Sequence, residues 1–194
     1  MKVMSSIRFV LLTLTLGVLP SKANLLTNGN FNTGDFTGWY TYAADATMSN
    51  TINTTLTYDG SPNAKMVSGD TTYRDALGQV IAIGGSQQYS IGFVYDASVV
   101  PSFAISVTYD DAGNNYLGYE FPTGVLTTAG TWSTYNGTFT TPANTASLKL
   151  EFELYSPATV QLDNVDLETV PEPTSAALLV GGVLSMIFLR RSRT

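Results

Sequence analysis

The chain has 194 residues and a net charge of −6, with neither cysteine nor histidine. Disulfides, thiol nucleophiles, imidazole bases and the zinc sites built from them are therefore excluded, which leaves carboxylates, hydroxyls, amides and aromatics to carry chemistry. A 44% hydrophobic content, with 11 tyrosines, nine phenylalanines and two tryptophans, is enough for the core of one domain.

At the N-terminus, Lys2 and Arg8 precede an apolar run from Phe9 to Leu19, and Pro20-Ser21-Lys22-Ala23 follows. A basic start, a short apolar core and small residues at Ser21 and Ala23 predict a secretory signal over 1–23, cleaved after Ala23. The run is too short to span a bilayer, which takes about 20 residues.

Residues 24–169 read as one domain with a charge of its own. Lys65, Arg74 and Lys149 are the only basic residues there against 14 acidic ones, a net charge of −11. A field of that sign repels nucleic acid and anionic lipid and can draw in divalent cations. The hydrophobic pattern alternates. Tyr89, Ile91, Phe93 and Tyr95 share one strand face, as do Phe103, Ile105, Val107 and Tyr109, and then Leu148, Leu150, Phe152 and Leu154. Turn signals separate the runs at Asp59-Gly60-Ser61-Pro62, Gly84-Gly85, Asp110-Asp111-Ala112-Gly113-Asn114, Ala129-Gly130 and Pro142-Ala143-Asn144. Short half-buried strands at regular spacing predict an all-β fold, a two-sheet antiparallel sandwich.

After Val170-Pro171-Glu172-Pro173 come sixteen uncharged residues, 174–189, and then Arg190-Arg191-Ser192-Arg193-Thr194. This predicts a single transmembrane helix over 174–189 whose basic end stays cytoplasmic. Pro171-Glu172-Pro173, a short apolar helix and Arg190-Arg191, in that order, resemble the PEP-CTERM sorting signal of Gram-negative bacteria. The resemblance implies an exosortase as processing partner, with cleavage near the Pro-Glu-Pro. It also implies transient tethering in the inner membrane, then transfer to the cell surface or extracellular polysaccharide matrix.

A second resemblance covers most of residues 24–169. Asn24-Leu25-Leu26-Thr27-Asn28-Gly29-Asn30-Phe31 with Gly34-Asp35-Phe36-Thr37-Gly38-Trp39, and the closing Leu162-Asp163-Asn164-Val165, resemble galactose-binding-like and carbohydrate-binding-module jelly rolls. The resemblance implies that the closing strand runs beside the opening segment. It also implies one structural calcium, with Asp163 as the closing aspartate and Asn30 and Asn32 in the opening segment. Asn32 stands where many relatives carry glutamate, which removes a negative charge and lowers the expected affinity. The alternative is that Asp163 and Asn164 only bond backbone amides. Asp110 and Asp111 lack calcium-loop spacing and read as a solvated hairpin.

Sugar recognition needs aromatic platforms with hydrogen-bonding neighbours. Tyr73, Tyr116, Tyr119, Trp132 and Tyr155, with Asn115, lie off the apparent core faces and are the candidate ligand-binding residues; Trp39, Tyr40 and Tyr42 join the wider set, with Trp39 expected to plug the core. Glu151 and Glu153 share a strand face about 7 Å apart, close enough to be weighed as a glycosidase acid and base. Lys149 beside them and the small domain argue against catalysis. The expected function is that of an exported, exosortase-sorted, non-catalytic surface or matrix protein whose sandwich binds polysaccharide. A purely structural or adhesive matrix protein is the alternative.

Overall fold

The computed structural model describes residues 23–170 except 73, 123–125 and 127. Residues 1–22 of the predicted 1–23 signal, Pro171, Glu172, Pro173, the 174–189 helix, Arg190 and Arg191 lie outside the described residues.

Among the described residues ten strands follow one another: β1 (Tyr40–Ala43), β2 (Ser49–Asn53), β3 (Asn63–Ser68), β4 (Asp75–Ala82), β5 (Gln88–Ala97), β6 (Phe103–Asp110), β7 (Tyr116–Glu120), β8 (Ser133–Thr140), β9 (Ser147–Leu154) and β10 (Ala158–Thr169). They form two five-stranded sheets, β1-β4-β9-β6-β7 and β2-β3-β10-β5-β8, and every pairing is antiparallel. This is the two-sheet sandwich that the alternation predicts, in keeping with the jelly roll that the resemblance implies, with β9 central in one sheet and β10 in the other.

The core is the sum of the inward faces. Leu148, Leu150, Phe152 and Leu154 of β9 are fully buried against Ile91 and Phe93 of β5 and Val160 and Leu162 of β10. Phe152 sits at the aromatic centre, its ring centroid 5.2 Å from that of Phe93 and 6.1 Å from those of Phe103 and Trp39. Trp39 is 7% exposed and packs, tilted, against Phe31 with ring centroids 5.4 Å apart, so it plugs the core as expected. Burial of so many large apolar side chains, each stabilising by about 1.5–3 kcal/mol, holds the two sheets together.

The opening segment is not a regular strand, yet it runs along β10. The Leu25 amide donates to the Leu167 carbonyl at 2.8 Å and the Val165 amide to the Gly29 carbonyl at 2.9 Å. The Asn24 side chain bonds both ways, donating to the Val165 carbonyl and accepting from the Leu26 and Leu167 amides. The β10 register with β5 slips between Asp163 and Asp166, where Asn164 takes a positive φ of 47°. That bulge lets a twelve-residue strand bend around the sandwich.

Candidate functional site

The sheet β1-β4-β9-β6-β7 turns its second face away from the core. On β9 the residues between the buried leucines, Lys149, Glu151 and Glu153, point to that face. The cross-strand neighbours of the two glutamates are small: Gly78 and Ser106 flank Glu151, and Ala76 and Ala104 flank Glu153, while Val80 and Thr108 flank Lys149. Larger side chains rise at the margins. Tyr40 pairs with Gly78 and Tyr42 with Ala76 on one edge strand, while Tyr119 pairs with Thr108 on the other. Small residues on inner strands and aromatics on edge strands make a shallow groove across the sheet.

Glu151 and Glu153 face outward yet are only 4% and 3% exposed. Longer side chains roof them. Arg74 ion-pairs with Glu153 and lies 3.6 Å from Glu151, and Lys149 Nζ reaches Glu151 at 2.9 Å. Glu153 also accepts from Ser106 Oγ at 3.1 Å and from the Tyr155 hydroxyl. The Arg74 guanidinium stands 5.8 Å from the Tyr42 ring centroid, so charge and ring share the rim. Tyr40 lies across Gly78, and its hydroxyl is buried beside Glu151 without reaching hydrogen-bond geometry.

Ionisation follows from this packing. Burial works to raise the Glu151 carboxyl, but the bond from Lys149, the nearby Tyr40 hydroxyl and the charges of Lys149 and Arg74 hold it below the ordinary range. Burial opposes the Arg74 charge as well, but Glu153 and Glu151 outweigh it and keep the guanidinium firmly protonated. Burial and then the Glu153 bond push the Tyr155 phenol up to about 12. The two carboxylates are therefore spent on ion pairs and hydrogen bonds. What the groove offers a ligand is tyrosine faces, phenol hydroxyls and the edges of a nearly neutral polar network.

The sequence-predicted candidates separate. Tyr119 and Tyr155 belong to this groove, and Tyr119, 61% exposed, packs edge-on against Phe121 at 5.5 Å. Tyr116 is also exposed, at the start of β7, where its partner is Asp110. Asn115 is committed to the β6–β7 turn, bonding both carboxylate oxygens of Asp111 at 3.1 and 3.0 Å. Trp132 stands apart from the groove, its ring 5.5 Å from Tyr58 in the β2–β3 connection. Tyr73 lies outside the described residues. Arg74 carries no signal in the sequence pattern, because its pairing with Glu153 of β9 joins residues 79 positions apart.

Of the residues assigned to calcium, Asp163 is fully buried, its Oδ1 accepts the Asn164 amide at 2.7 Å, and its Oδ2 has no partner. Burial is the main cause lifting its carboxyl to about 6, with the nearby charge of Asp59 adding to it. Asn30 and Asn32 are exposed and interact with each other, the Asn32 amide lying 3.3 Å from Asn30 Oδ1. Asn30 also lines a depression of about 470 Å³ beside Asn164 and Asp166.

A family model described as a carbohydrate binding domain matches residues 23–159. The chain belongs to the carbohydrate binding domain family. Solved carbohydrate-binding modules share its fold. A CBM22-1 xylan-binding domain from Paenibacillus barcinonensis is similar at 14% identity and a TM-score of 0.61, over 78% of this chain and 97% of that one. A family 16 carbohydrate-binding module is similar at 22% identity and a TM-score of 0.55, over 74% and 99%. The enzymatically active domain of tailspike protein 4 from bacteriophage CBA120 is similar at 14% identity and a TM-score of 0.66. Only 21% of that longer chain is covered, against 76% of this one. No curated protein matches the chain. A carbohydrate binding domain of this kind is a non-catalytic module, in keeping with two groove carboxylates held by Arg74 and Lys149.

Proposed function

We propose that this carbohydrate binding domain holds polysaccharide in the groove of the β1-β4-β9-β6-β7 sheet, and that the protein is exported and sorted to the cell surface or extracellular matrix. The observation that carries the binding reading is the placement of Tyr40 and Tyr42 on one rim and Tyr119 on the other, with small residues, the exposed Val80 and satisfied ion pairs between them. Pyranose rings stack C–H faces on tyrosine, while hydroxyls bond phenols and the edges of the ion pairs. The named ligands of structural neighbours, xylan and xylohexaose among them, support an extended neutral chain as the class of ligand. The test is affinity electrophoresis of the full chain through soluble polysaccharides. Retardation lost in Tyr42→Ala and Tyr119→Ala supports the reading, and retardation indifferent to both overturns it.

The orphaned Asp163 Oδ2 suits a hard cation, so Asp163 would supply the charged oxygen to a structural calcium while Asn30 and Asn32 contribute only neutral amides. When bound, the ion would brace the closing strand. Calcium that raises the melting temperature of the wild type but not of Asp163→Asn would support this. Export rests on Lys2, Arg8 and the segment ending at Ala23, and sorting on Pro171-Glu172-Pro173 and Arg190-Arg191. Mass spectrometry of the protein recovered from an exosortase-bearing host reads both ends. Intact termini would overturn the sorting reading.

A further inference from the structure

The opposite sheet, β2-β3-β10-β5-β8, carries a separate cleft of about 390 Å³ on its own outer face. Gln161 on central β10 pairs with Lys65 on β3 and with Asp96 on β5, so these three side chains form one row across three strands. Gln161 is 6% exposed although it faces away from the core, because the β2–β3 connection folds over it. Asn53 pins that connection, donating its amide to the Gln161 carbonyl oxygen and to the Leu56 carbonyl at 2.9 Å. Leu56, 48% exposed, and Thr159 complete the wall. Trp132 immediately precedes β8, whose first residue Ser133 pairs with Tyr95, and its ring packs against Tyr58 of the same β2–β3 connection.

One polar atom of the lining lacks a partner: Asp96 Oδ1 is a buried acceptor with no donor. Leaving it buried and unpaired costs about 1–3 kcal/mol. A cation would suit Asp96, but Lys65 in the same row would oppose it. An anion would suit Lys65, but Asp96 would oppose it. A sugar hydroxyl carries no charge and donates to Asp96 while Leu56 receives a C–H face. The volume lies at the small end of ligand pockets, about 300–1,000 Å³, and fits one or two sugar rings.

We propose that this cleft is a second, independent site for a neutral sugar ring, on the face opposite the tyrosine groove. The cleft stands by itself; the consequence that one domain bridges two glycan chains rests on the groove reading above.

Trp132 is a built-in reporter, since the other tryptophan, Trp39, is buried in the core. The full chain is titrated with D-xylose, D-galactose, D-glucose and their methyl glycosides while tryptophan emission is followed. Bridging is read as clumping of polysaccharide-coated beads. At least one sugar should shift the emission saturably, with affinity falling tenfold or more in Asp96→Ala and Gln161→Ala. Those variants should still be retarded by polysaccharide but no longer clump beads. Asp96→Asn, which keeps a carbonyl acceptor, should lose less than Asp96→Ala, and melting curves confirm that each variant is folded. Tyr42→Ala with Tyr119→Ala should weaken retardation to what the cleft alone sustains, abolish clumping and leave the emission response intact. No response to any sugar, or a response untouched by Asp96→Ala and Gln161→Ala, overturns the proposal. So does a response to calcium chloride or inorganic phosphate alone. An emission response in the wild type whose retardation is unchanged by Tyr42→Ala and Tyr119→Ala refutes the groove and leaves the cleft standing.

Discussion

Tyr40 lies across the face of Gly78: its Cζ and hydroxyl oxygen are 2.5 Å from where a β-carbon on that glycine would stand. The two residues pair across β1 and β4, so an edge-strand ring covers the one inner position on that strand without a side chain. The contact brings the phenol beside Glu151 and sets the height of one groove wall. Glycine serves close approach here, an arrangement in which an aromatic shields the exposed backbone of its partner.

Gly78→Ala should therefore lift Tyr40 out of the groove. Overpacking of this kind costs about 1–3 kcal/mol. The expected result is a lower urea midpoint together with at least a tenfold loss of polysaccharide affinity. Tyr40→Phe, which keeps the ring over Gly78, should bind within a few-fold of wild type. Equal affinity of Gly78→Ala and wild type would show that the wall plays no part in binding.

Tyr42 and Tyr119 stand on opposite edges of the sheet and share no partner among the described residues. Losing one stacked ring should raise the dissociation constant about tenfold, near 1.4 kcal/mol, and losses at separated sites add. Isothermal titration of Tyr42→Ala, Tyr119→Ala and the double variant should give factors that multiply. A double variant no weaker than either single one would place both rings outside one continuous binding path.

Glu153 takes the Arg74 ion pair, the Tyr155 hydroxyl and Ser106 Oγ, whereas Glu151 takes Lys149 and the more distant Arg74. Removing one partner of a buried pair costs more than the pair contributes, because the remaining charge stays unmatched. With Arg74 partly open to solvent the loss is screened, so Glu153→Gln should destabilise by about 2 kcal/mol and Glu151→Gln by about 1 kcal/mol in urea titrations. Neither substitution should uncover or abolish any release of reducing sugar. Turnover by the wild type that vanishes in either variant would contradict a non-catalytic module.

Asp75 is fully buried, with Asn50 Nδ2 donating to Oδ1 at 2.6 Å and nothing reaching Oδ2. Burial lifts its carboxyl to about 6 in the fold, against the side chain bond to Asn50 and backbone bonds that pull it down. The unfolded chain titrates near 3.9, so folding takes up a proton between the two values. Asp75 thus favours the folded state below about pH 4, and that contribution is lost as pH rises through 6. Asp75→Asn retains the acceptor for Asn50 and should raise the melting temperature by about 5 °C at pH 7.5, equivalent to about 2 kcal/mol. At pH 4 the two proteins should melt together. The same gain at both pH values would disprove the burial argument.

The strand faces were legible from residue order because side-chain direction alternates with a period of two whatever the sheet pairing. Leu148, Leu150, Phe152 and Leu154 point inward in the fold, and Lys149, Glu151 and Glu153 point outward, as the pattern alone requires. Trp39 in the core and the opening segment beside β10 likewise agree with the resemblance read from Asn24–Trp39 and Leu162–Val165. The candidate site was legible only in part. Tyr119 and Tyr155 were among its expected residues, but Trp132 is on the side of Tyr58, and Asn115 is absorbed by the turn around Asp111.

Composition and period thus determined by themselves that the chain forms acidic, alternating strands without cysteine or histidine chemistry, since both properties are local or additive. Which strands lie side by side depends on long-range pairing that no local pattern encodes. Tertiary structure alone placed Tyr40 over Gly78, brought Arg74 to Glu153, and set Lys65, Gln161 and Asp96 in one row. It thereby divided the aromatic residues between two opposite faces, because a sandwich has two outer surfaces and sequence order does not say which strand belongs to which.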